Sequence, residues 1–429
     1  MNKKRDHKNR VLEKGEIQLA DGRYKYRYTD VNGDRKEYYS YRLVDSDKTP
    51  KGKKNKPSIR AYKLEVAIAQ KDGIDLSKEN ITLNQLFDIC VNHKLDSGQI
   101  KVKTYHSYNS AWKHSRNHKV CHSKVKTLRE SDFQKLYSDL LASGMGSGSI
   151  KVLHRVHNVV MKFGCKEDYV RYNYAHEALK GFDLPVNKRK ALTVIEQQRF
   201  VAFLKENEQF HHLYNVVAFM LETAIRVSEM TALTVHDTDL ESKILSIDKQ
   251  YHYQIAGKEN HSGTLKVTPP KTEAGNRNVP LSETAINAVI RQIDFLESLN
   301  LIDNHEVAHY REGEVCKNFL FLGSRNQLWY ANHFDTHLKN AVKVHNGLEM
   351  VLAEQEAREP MLLPHISAHI LRHTACTRLS EQGICMKVLQ QIMGHKNINT
   401  TADIYDHVDS QRMRHEMSRI DDLRQANTA

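Results

Sequence analysis

The chain opens with a period of two. In Arg23-Tyr24-Lys25-Tyr26-Arg27-Tyr28 basic residues and tyrosines alternate strictly, as a strand with two unlike faces requires. Asn32-Gly33-Asp34 supplies a hairpin turn, and Lys36 to Arg42 reads as a further strand with Tyr39 and Tyr41 on one side. A basic turn with two prolines follows, KTPKGKKNKP. From 58 to 71 the apolar spacing lengthens to that of a helix, through Ile59, Tyr62, Val66 and Ala69.

Asp72-Gly73 and Ser77-Lys78-Glu79-Asn80 mark a break. Thr82 is placed to cap a helix that begins Leu83-Asn84-Gln85-Leu86-Phe87, and residues 82–180 read as several helices. The run Ser143-Gly144-Met145-Gly146-Ser147-Gly148-Ser149 separates two of them; it lacks the Lys-Ser/Thr ending of a phosphate-cradling loop. Leu184-Pro185-Val186-Asn187-Lys188-Arg189-Lys190 reads as a basic linker. Thr193-Val194-Ile195-Glu196 has capping-box spacing, and helices continue to about 240. Residues 243–281 change to short β-like pieces. Gly275-Asn276 is a turn there, so Lys271 is expected on a strand close to a hairpin. From 282 onward the pattern is mostly helical. The expected fold is mainly α with small β-sheets, in three domains: a three-stranded sheet plus helix over 1–76, a helical unit over 80–183, and a mixed, mostly helical unit over 190–429 that ends in a tail helix.

The length of 429 residues suits two or three domains. No stretch approaches the roughly 20 apolar residues of a membrane span, and MNKKRDHKNR is not a secretory signal. Cys90, Cys121, Cys165, Cys316, Cys376 and Cys385 are scattered without a CxxC pair, as expected for reduced thiols in a cytoplasmic protein. The net charge is +12, and residues 1–60 hold 18 basic and 9 acidic residues, so 18 − 9 = +9 of it is local. A concentrated basic excess interleaved with tyrosines favours a polyanion partner, and without an amphipathic helix it does not favour a membrane surface.

Candidate chemistry lies in the second half. Arg226 sits in an apolar run (Phe219, Leu221, Ile225, Met230, Leu233) read as one helix, with Glu229 a turn away as its partner. His369 and Arg372 are three apart, hence on one helix face, where they can reach one phosphate. His365, His369 and His373 have a zinc-like spacing, but Pro364 sets His365 before the helix and the Glu of HExxH is missing. Met393-Gly394-His395 precedes Tyr405. Arg226, Lys271, His369, Arg372, His395 and Tyr405 together supply cations and donors for a phosphate, a proton donor and a tyrosine hydroxyl. That set suits attack of a tyrosine on a DNA phosphodiester.

These anchors, in this order, resemble the tyrosine recombinases (phage-type integrases), and within them the integrases of bacterial conjugative transposons. The likeness covers nearly the whole chain; Leu371-Arg372-His373-Thr374 with Met393-Gly394-His395 is specific in combination. The resemblance implies that Arg226 and Arg372 bind the scissile phosphate, His369 bonds to it and assists proton movement, Lys271 protonates the leaving 5′ oxygen, His395 donates a further bond, Tyr405 attacks to give a 3′-phosphotyrosyl link, and Glu229 supports the first arginine. Neither metal nor other cofactor is implied. The family usually has Gly where Ala224 stands; Ala suits a helix, so little effect is expected. The spacing from His395 to Tyr405 is ten residues where many members have nine.

The N-terminal sheet resembles an arm-binding domain, with Arg23, Arg27, Tyr39, Tyr41 and Lys53 facing DNA. Residues 82–180 resemble a core-binding domain, with Lys101, Lys103, Trp112, Lys113 and Arg116 as candidates for backbone contact. The expected partners are double-stranded DNA at core and arm sites, further copies of the chain in a tetramer on DNA, an excisionase and a host DNA-bending protein, with no membrane. The setting would be bacterial cytoplasm, at the nucleoid during action. The tail carries Met413, Met417, Ile420 and Arg424 at helical spacing, with Leu423 beside them, and would dock on a neighbouring subunit or cap its own domain. A type IB topoisomerase or a non-catalytic DNA-binding regulator are the alternative readings.

Overall fold

The computed structural model describes residues 4–30, 33–71, 80–185, 190–255, 257–258, 263–399 and 401–402. Tyr405, the tail, the breaks expected at Asp72-Gly73 and Ser77–Glu79, and most of the basic linker fall outside those residues. The chain divides into two compact units, Met1–Val186 and Asn187–Ala429.

The first unit opens with an antiparallel sheet in the order β1 (Glu16–Gln18), β2 (Tyr24–Thr29), β3 (Arg35–Ser40), followed by α1 (Ile59–Lys71). The tyrosine face of β2 is the core face: Tyr24 is buried with Leu43 and Ile59, and Tyr26 and Tyr38 pack beside them. From α1, Tyr62 stacks on Tyr38 with ring centroids 3.7 Å apart and shares a hydrogen bond with the Tyr28 hydroxyl. So small a core is supplemented by polar bonds. Arg10 bridges Asp6 and Asp47, and Tyr24 Oη donates to Asp6 at 2.9 Å. β3 stops at Ser40, short of the Arg42 expected, because the Asp47 carboxylate accepts from the Leu43 and Val44 amides and folds the chain into a turn.

A helical bundle with its own core follows, made by α2 (Leu83–Asp96), α3 (Val102–Lys113), α4 (Glu130–Ala142) and α5 (Ser147–Lys166). Thr82 caps α2 in a reciprocal box with Gln85, as the spacing requires. Trp112, expected to reach DNA, does not. It is 1% exposed, stacks on Phe87 at 4.1 Å and donates Nε1–H to Asn84 at 2.8 Å. An indole in a run of basic residues is still the largest apolar surface available, and the core takes it.

The second unit begins with α6 (Val194–Glu206), capped by the Thr193–Glu196 box, then α7 (Tyr214–Thr223) and α8 (Val227–Met230). Short strands follow: β4 (Thr238–Asp239), β5 (Ile244–Ile247), β6 (Gln250–Ile255), β7 (Gly263–Thr268) and β8 (Arg277–Pro280). β6 pairs with β7, while β8 pairs with β5 in the sheet β4-β5-β8. The segment carrying Lys271 therefore joins two different sheets and is not a hairpin tip; Lys271 lies past the end of β7. Next come α9 (Glu283–Ser298), β9 (Val307–Ala308), β10 (Val315–Cys316), α10 (Ala331–Gln355), α11 (Ala368–Glu381) and α12 (Met386–Met393). The stretch 299–330 is not helical, contrary to its pattern. The Asn304 amide fixes it by donating to Leu301 and Phe319 carbonyls and accepting from the Phe319 amide. The main core gathers Phe200, Phe219, Trp329, Phe334 and Leu371. No helix among the described residues is long and apolar enough to cross a membrane.

The apolar run around Arg226 is two helices, not one. α7 ends at Ala224, which takes the left-handed conformation (φ +51°), a position that favours glycine. This corrects the view of Ala224 as an ordinary helical alanine. Replacing it with Gly relieves about 1–2 kcal/mol of backbone strain but forfeits about 0.8 kcal/mol of methyl burial and adds unfolded-state freedom worth about 0.5–1 kcal/mol. Ala224→Gly should thus shift the unfolding free energy by less than about 1 kcal/mol, whereas Ala224→Val, β-branched in a filled site, should cost about 3 kcal/mol or more in denaturant titrations.

Candidate active site

The break at Ala224 sets Arg226 in extended backbone at the start of α8, with its amide donating to Glu229 Oε2 at 3.1 Å. Its guanidinium donates to Glu229 Oε1 at 2.6 Å and to the Gly394 carbonyl at 2.6 Å. The Arg226 side chain remains 34% exposed, whereas Glu229 is 2% exposed. A carboxylate so buried demands compensation. A second arginine provides it: Arg277, at the start of β8, donates from Nη2 to Glu229 Oε2 at 2.9 Å and from Nη1 to Oε1 at 3.2 Å. Burial pushes the Glu229 pKa up, but the hydrogen bond and charge of Arg277, with the charges of Arg226 and Arg372, outweigh it and hold the group ionised.

Arg372 projects from α11 and is 5% exposed. It donates to the Ala224 carbonyl at 2.6 Å, to the Met393 carbonyl at 2.5 Å and to His395 Nε2 at 3.0 Å. Burial, then the nearby Arg226 charge, lower its pKa to about 9.

The three guanidiniums share a further partner. The last carbonyls of α12 are taken in turn: Ile392 by Arg277 Nε at 2.7 Å, Met393 by Arg372, Gly394 by Arg226. The carbonyl that ends α7, at Ala224, goes to Arg372. Helix C-termini leave such carbonyls unpaired and carry negative partial charge, so two helix ends and one carboxylate gather three cations. The formal sum of Arg226, Arg277, Arg372 and Glu229 is 3 − 1 = +2. Such an excess of fixed positive charge can take up an anion.

Gly394 makes the convergence possible. It ends α12 at φ +61°, and a Cβ there would lie 2.8 Å from both the Ala274 carbonyl and Arg277 Nη1. His395 comes next. Its Nε2 accepts from Arg372, so the neutral ring carries its proton on Nδ1 and donates to Thr401 Oγ1 at 2.9 Å. Burial, then the charges of Arg372, Arg226 and Arg277, lower its pKa to about 4.

His369 is exposed on α11, one turn before Arg372. Lys271 is exposed in the segment between β7 and β8, where it lines a recess with Arg277, Gly394, His395 and Lys396. The structure thus joins Arg226, Glu229, Arg372 and His395 directly, and sets Lys271 in the recess beside His395. Tyr405 lies outside the described residues. Spacing along the chain did not single out Arg277; its only signal was indirect, one carboxylate expected to serve a strongly basic site. Among the described residues no group of His, Cys, Asp or Glu is placed to hold a metal ion. His212, His337 and His333 form a hydrogen-bonded chain, but His337 turns a different nitrogen to each neighbour, so one ion could not be shared.

In the first unit Arg23, Arg27 and Tyr39 lie on the sheet face opposite the tyrosine core. Arg23 pairs with Asp21 at 2.6 Å and lies over the Tyr39 ring, Arg27 pairs with Glu37 at 2.8 Å, and Tyr39 bonds to Glu37. Tyr41 is half-buried just past β3, and Lys53 is exposed in the basic turn. Lys103 and Lys113 are exposed on α3, Lys101 just before it and Arg116 just after it, Arg116 paired with Asp88 at 2.5 Å.

Residues 190–412 match the family model described as the phage integrase family, and residues 1–70 match the DNA binding domain of Tn916 integrase. The chain belongs to the phage integrase family. Its class is tyrosine recombinase: a DNA-binding integrase that cuts and rejoins DNA, integrating and excising a mobile element through the phosphotyrosyl chemistry general to the family. It is similar to the transposase from transposon Tn1545 of Streptococcus pneumoniae, at 29% identity over 99% of this chain and 98% of that one. The transposase from transposon Tn916 of Enterococcus faecalis is 28% identical over the same shares. In fold it is similar to the Tn1549 transposon integrase solved with transposon right end DNA, with a TM-score of 0.65 and 24% identity over 79% of this chain and 99% of that chain.

The fold carries a pH signature. His395 in the site, and His212, half-buried beside Trp329 and away from it, are each held near pKa 4 by burial, against an ordinary 6.5. Between about pH 6.5 and 4 the unfolded chain binds protons that the folded chain refuses, so stability is full above 6.5 and falls as pH falls through that window. Thermal unfolding followed from pH 7.5 to 4.5 should show the midpoint falling, with a shallower fall in His395→Gln; an equal slope in the two proteins would contradict the assignment.

Proposed function

We propose that Tyr405 is the nucleophile and that the cluster at Arg226 and Arg372, with His369, binds the non-bridging oxygens of the scissile phosphate. The tyrosine hydroxyl gives up its proton with His369 assisting the transfer, and its oxygen forms a bond to phosphorus as the bond to the 5′ oxygen breaks. Lys271 delivers the proton that the leaving oxygen needs, giving a 3′-phosphotyrosyl link and a free 5′ hydroxyl. A 5′ hydroxyl of a partner strand reverses the step. The phosphodiester energy is kept in the covalent link, so ATP and metal are not required.

The observation that carries this reading is the +2 cluster of three arginines anchored on Glu229 and on the end of α12. A fixed excess of positive charge, partly dry, stabilises a pentacoordinate phosphate more than the ground state it develops from. His395 fits the same picture. A phosphate among these cations adds the negative charge that raises its pKa from about 4, which allows Nε2 to gain a proton and donate to a phosphate oxygen.

The substrate is the ends of a conjugative transposon, a reading supported by likeness along nearly the full chain to the Tn1545 and Tn916 transposases. Residues 1–76 serve arm sites through Arg23, Arg27, Tyr39, Tyr41 and Lys53; residues 80–183 serve core sites through Lys101, Lys103, Lys113 and Arg116; residues 190–429 carry catalysis. Four copies act together in the bacterial cytoplasm, at the nucleoid, with an excisionase and a host DNA-bending protein setting direction. Residues 411–429 join the copies; sizing of protein–DNA complexes with and without them reads this out, and unchanged assembly of the truncated protein would contradict it.

Covalent trapping tests the chemistry. Native protein and Tyr405→Phe are mixed in EDTA with nicked duplexes carrying transposon ends and run on a denaturing gel. The expected result is an adduct with native protein only. An adduct with Tyr405→Phe, or cleavage that requires a divalent metal, would overturn the assignment.

A further inference from the structure

We infer that Arg277 is a positioning residue that holds the Lys271 segment against the arginine cluster, so that the proton donor and the phosphate-binding groups are registered by one side chain. This rests on the reading of Lys271 as the general acid.

Lys271 does not fix its own place. It is exposed, and it has no ion pair with a described residue. What surrounds it is fixed. Arg277 is 7% exposed in its side chain and spends its guanidinium on three parts of the fold. Nη1 and Nη2 go to the two oxygens of Glu229, Nε goes to the Ile392 carbonyl at the end of α12, and Nη1 also goes to the Gly275 carbonyl at 2.9 Å. Gly275 belongs to the turn that follows Lys271. That turn folds back tightly: a Cβ on Gly275 would lie 2.6 Å from Cβ of Pro270, the residue just before Lys271. On its other side the Ala274 carbonyl abuts Gly394 closely enough to exclude a Cβ there. Residues 270–277 are therefore clamped by Arg277 from within and by Gly394 from outside, with Lys271 at the edge.

The same carboxylate orients Arg226 and Arg277, so a displacement of one is felt by the other. A proton donor must lie within hydrogen-bond reach of the leaving oxygen, and a shift of about 1 Å can cost on the order of a hundredfold in rate. A loop with a free lysine could not meet that tolerance without such an anchor.

A purely structural Arg277 would only neutralise Glu229. The two roles separate on a substrate whose leaving 5′ oxygen is replaced by sulfur, because a thiolate departs without a proton. Single-turnover cleavage of oxygen and sulfur substrates is measured for native protein, Lys271→Ala, Arg277→Lys and Gly275→Ala. Gly275→Ala displaces Pro270 while leaving the Arg277–Glu229 pair in place, and it serves if Arg277→Lys folds poorly. Lys271→Ala should be slow on oxygen and near native on sulfur. Gly275→Ala should follow it, at least about tenfold slower on oxygen and within about twofold of native on sulfur, since general acid catalysis is worth about 10²–10⁴. Arg277→Lys also loosens the Glu229 pair that orients Arg226, so it should lose on both substrates but at least about tenfold more on oxygen than on sulfur. Equal losses on both substrates in both of these variants, beside a rescued Lys271→Ala, would overturn the role of Arg277 alone. Failure of sulfur to rescue Lys271→Ala would overturn the general-acid reading itself, and the positioning role with it.

Discussion

One buried carboxylate organises the arginine cluster. Glu229 is closed off from water, yet it stays ionised because Arg226 and Arg277 grip it from two sides. Removing one partner of such a buried set typically costs about 3–5 kcal/mol, because the remaining charge is left without compensation. A single acid cannot neutralise three guanidiniums, and the surplus is carried by the carbonyls that end α7 and α12. Those helices stop where they do because Ala224 and Gly394 both turn left-handed. Backbone punctuation, capping and charge are thus one device, and its product is a pocket that favours an added anion before any arrives.

Much of this was legible in the sequence where it depended on near neighbours. The caps at Thr82 and Thr193 follow from residues three apart, and the tyrosine face of β2 follows from alternation. The shared face of His369 and Arg372 follows from helical spacing, whereas the Arg226–Glu229 pair, expected along one helix, forms across the start of α8 with Arg226 in extended backbone. What escaped depends on distant partners. Arg277 meets Glu229 across 48 residues and Ile392 across 115. Nothing in its local pattern marks it as buried. Lys271 looked like a hairpin residue because its turn signals were real, but β7 and β8 found partners in different sheets. Trp112 shows the opposite error: its basic company suggested DNA, and its own apolar area decided otherwise.

The two units use positive charge differently. On the N-terminal sheet, Arg23 and Arg27 are at least partly exposed and paired with exposed acids, pairs worth little in water and readily exchanged for phosphates. In the second unit the arginines are locked by short bonds to carbonyls and a carboxylate. The first arrangement suits binding along a duplex, and the second suits one phosphate held in one geometry.

The most direct test of the central claim is the single-turnover cleavage rate of Glu229→Gln on saturating DNA. The amide keeps the shape of the acid but removes the charge that orders Arg226 and Arg277. If Glu229 organises the site, the folded variant should bind DNA nearly as tightly as native protein and cleave it on the order of a hundredfold more slowly. Cleavage at the native rate by a folded variant would show that the arginines need no carboxylate to hold them, and would contradict the account.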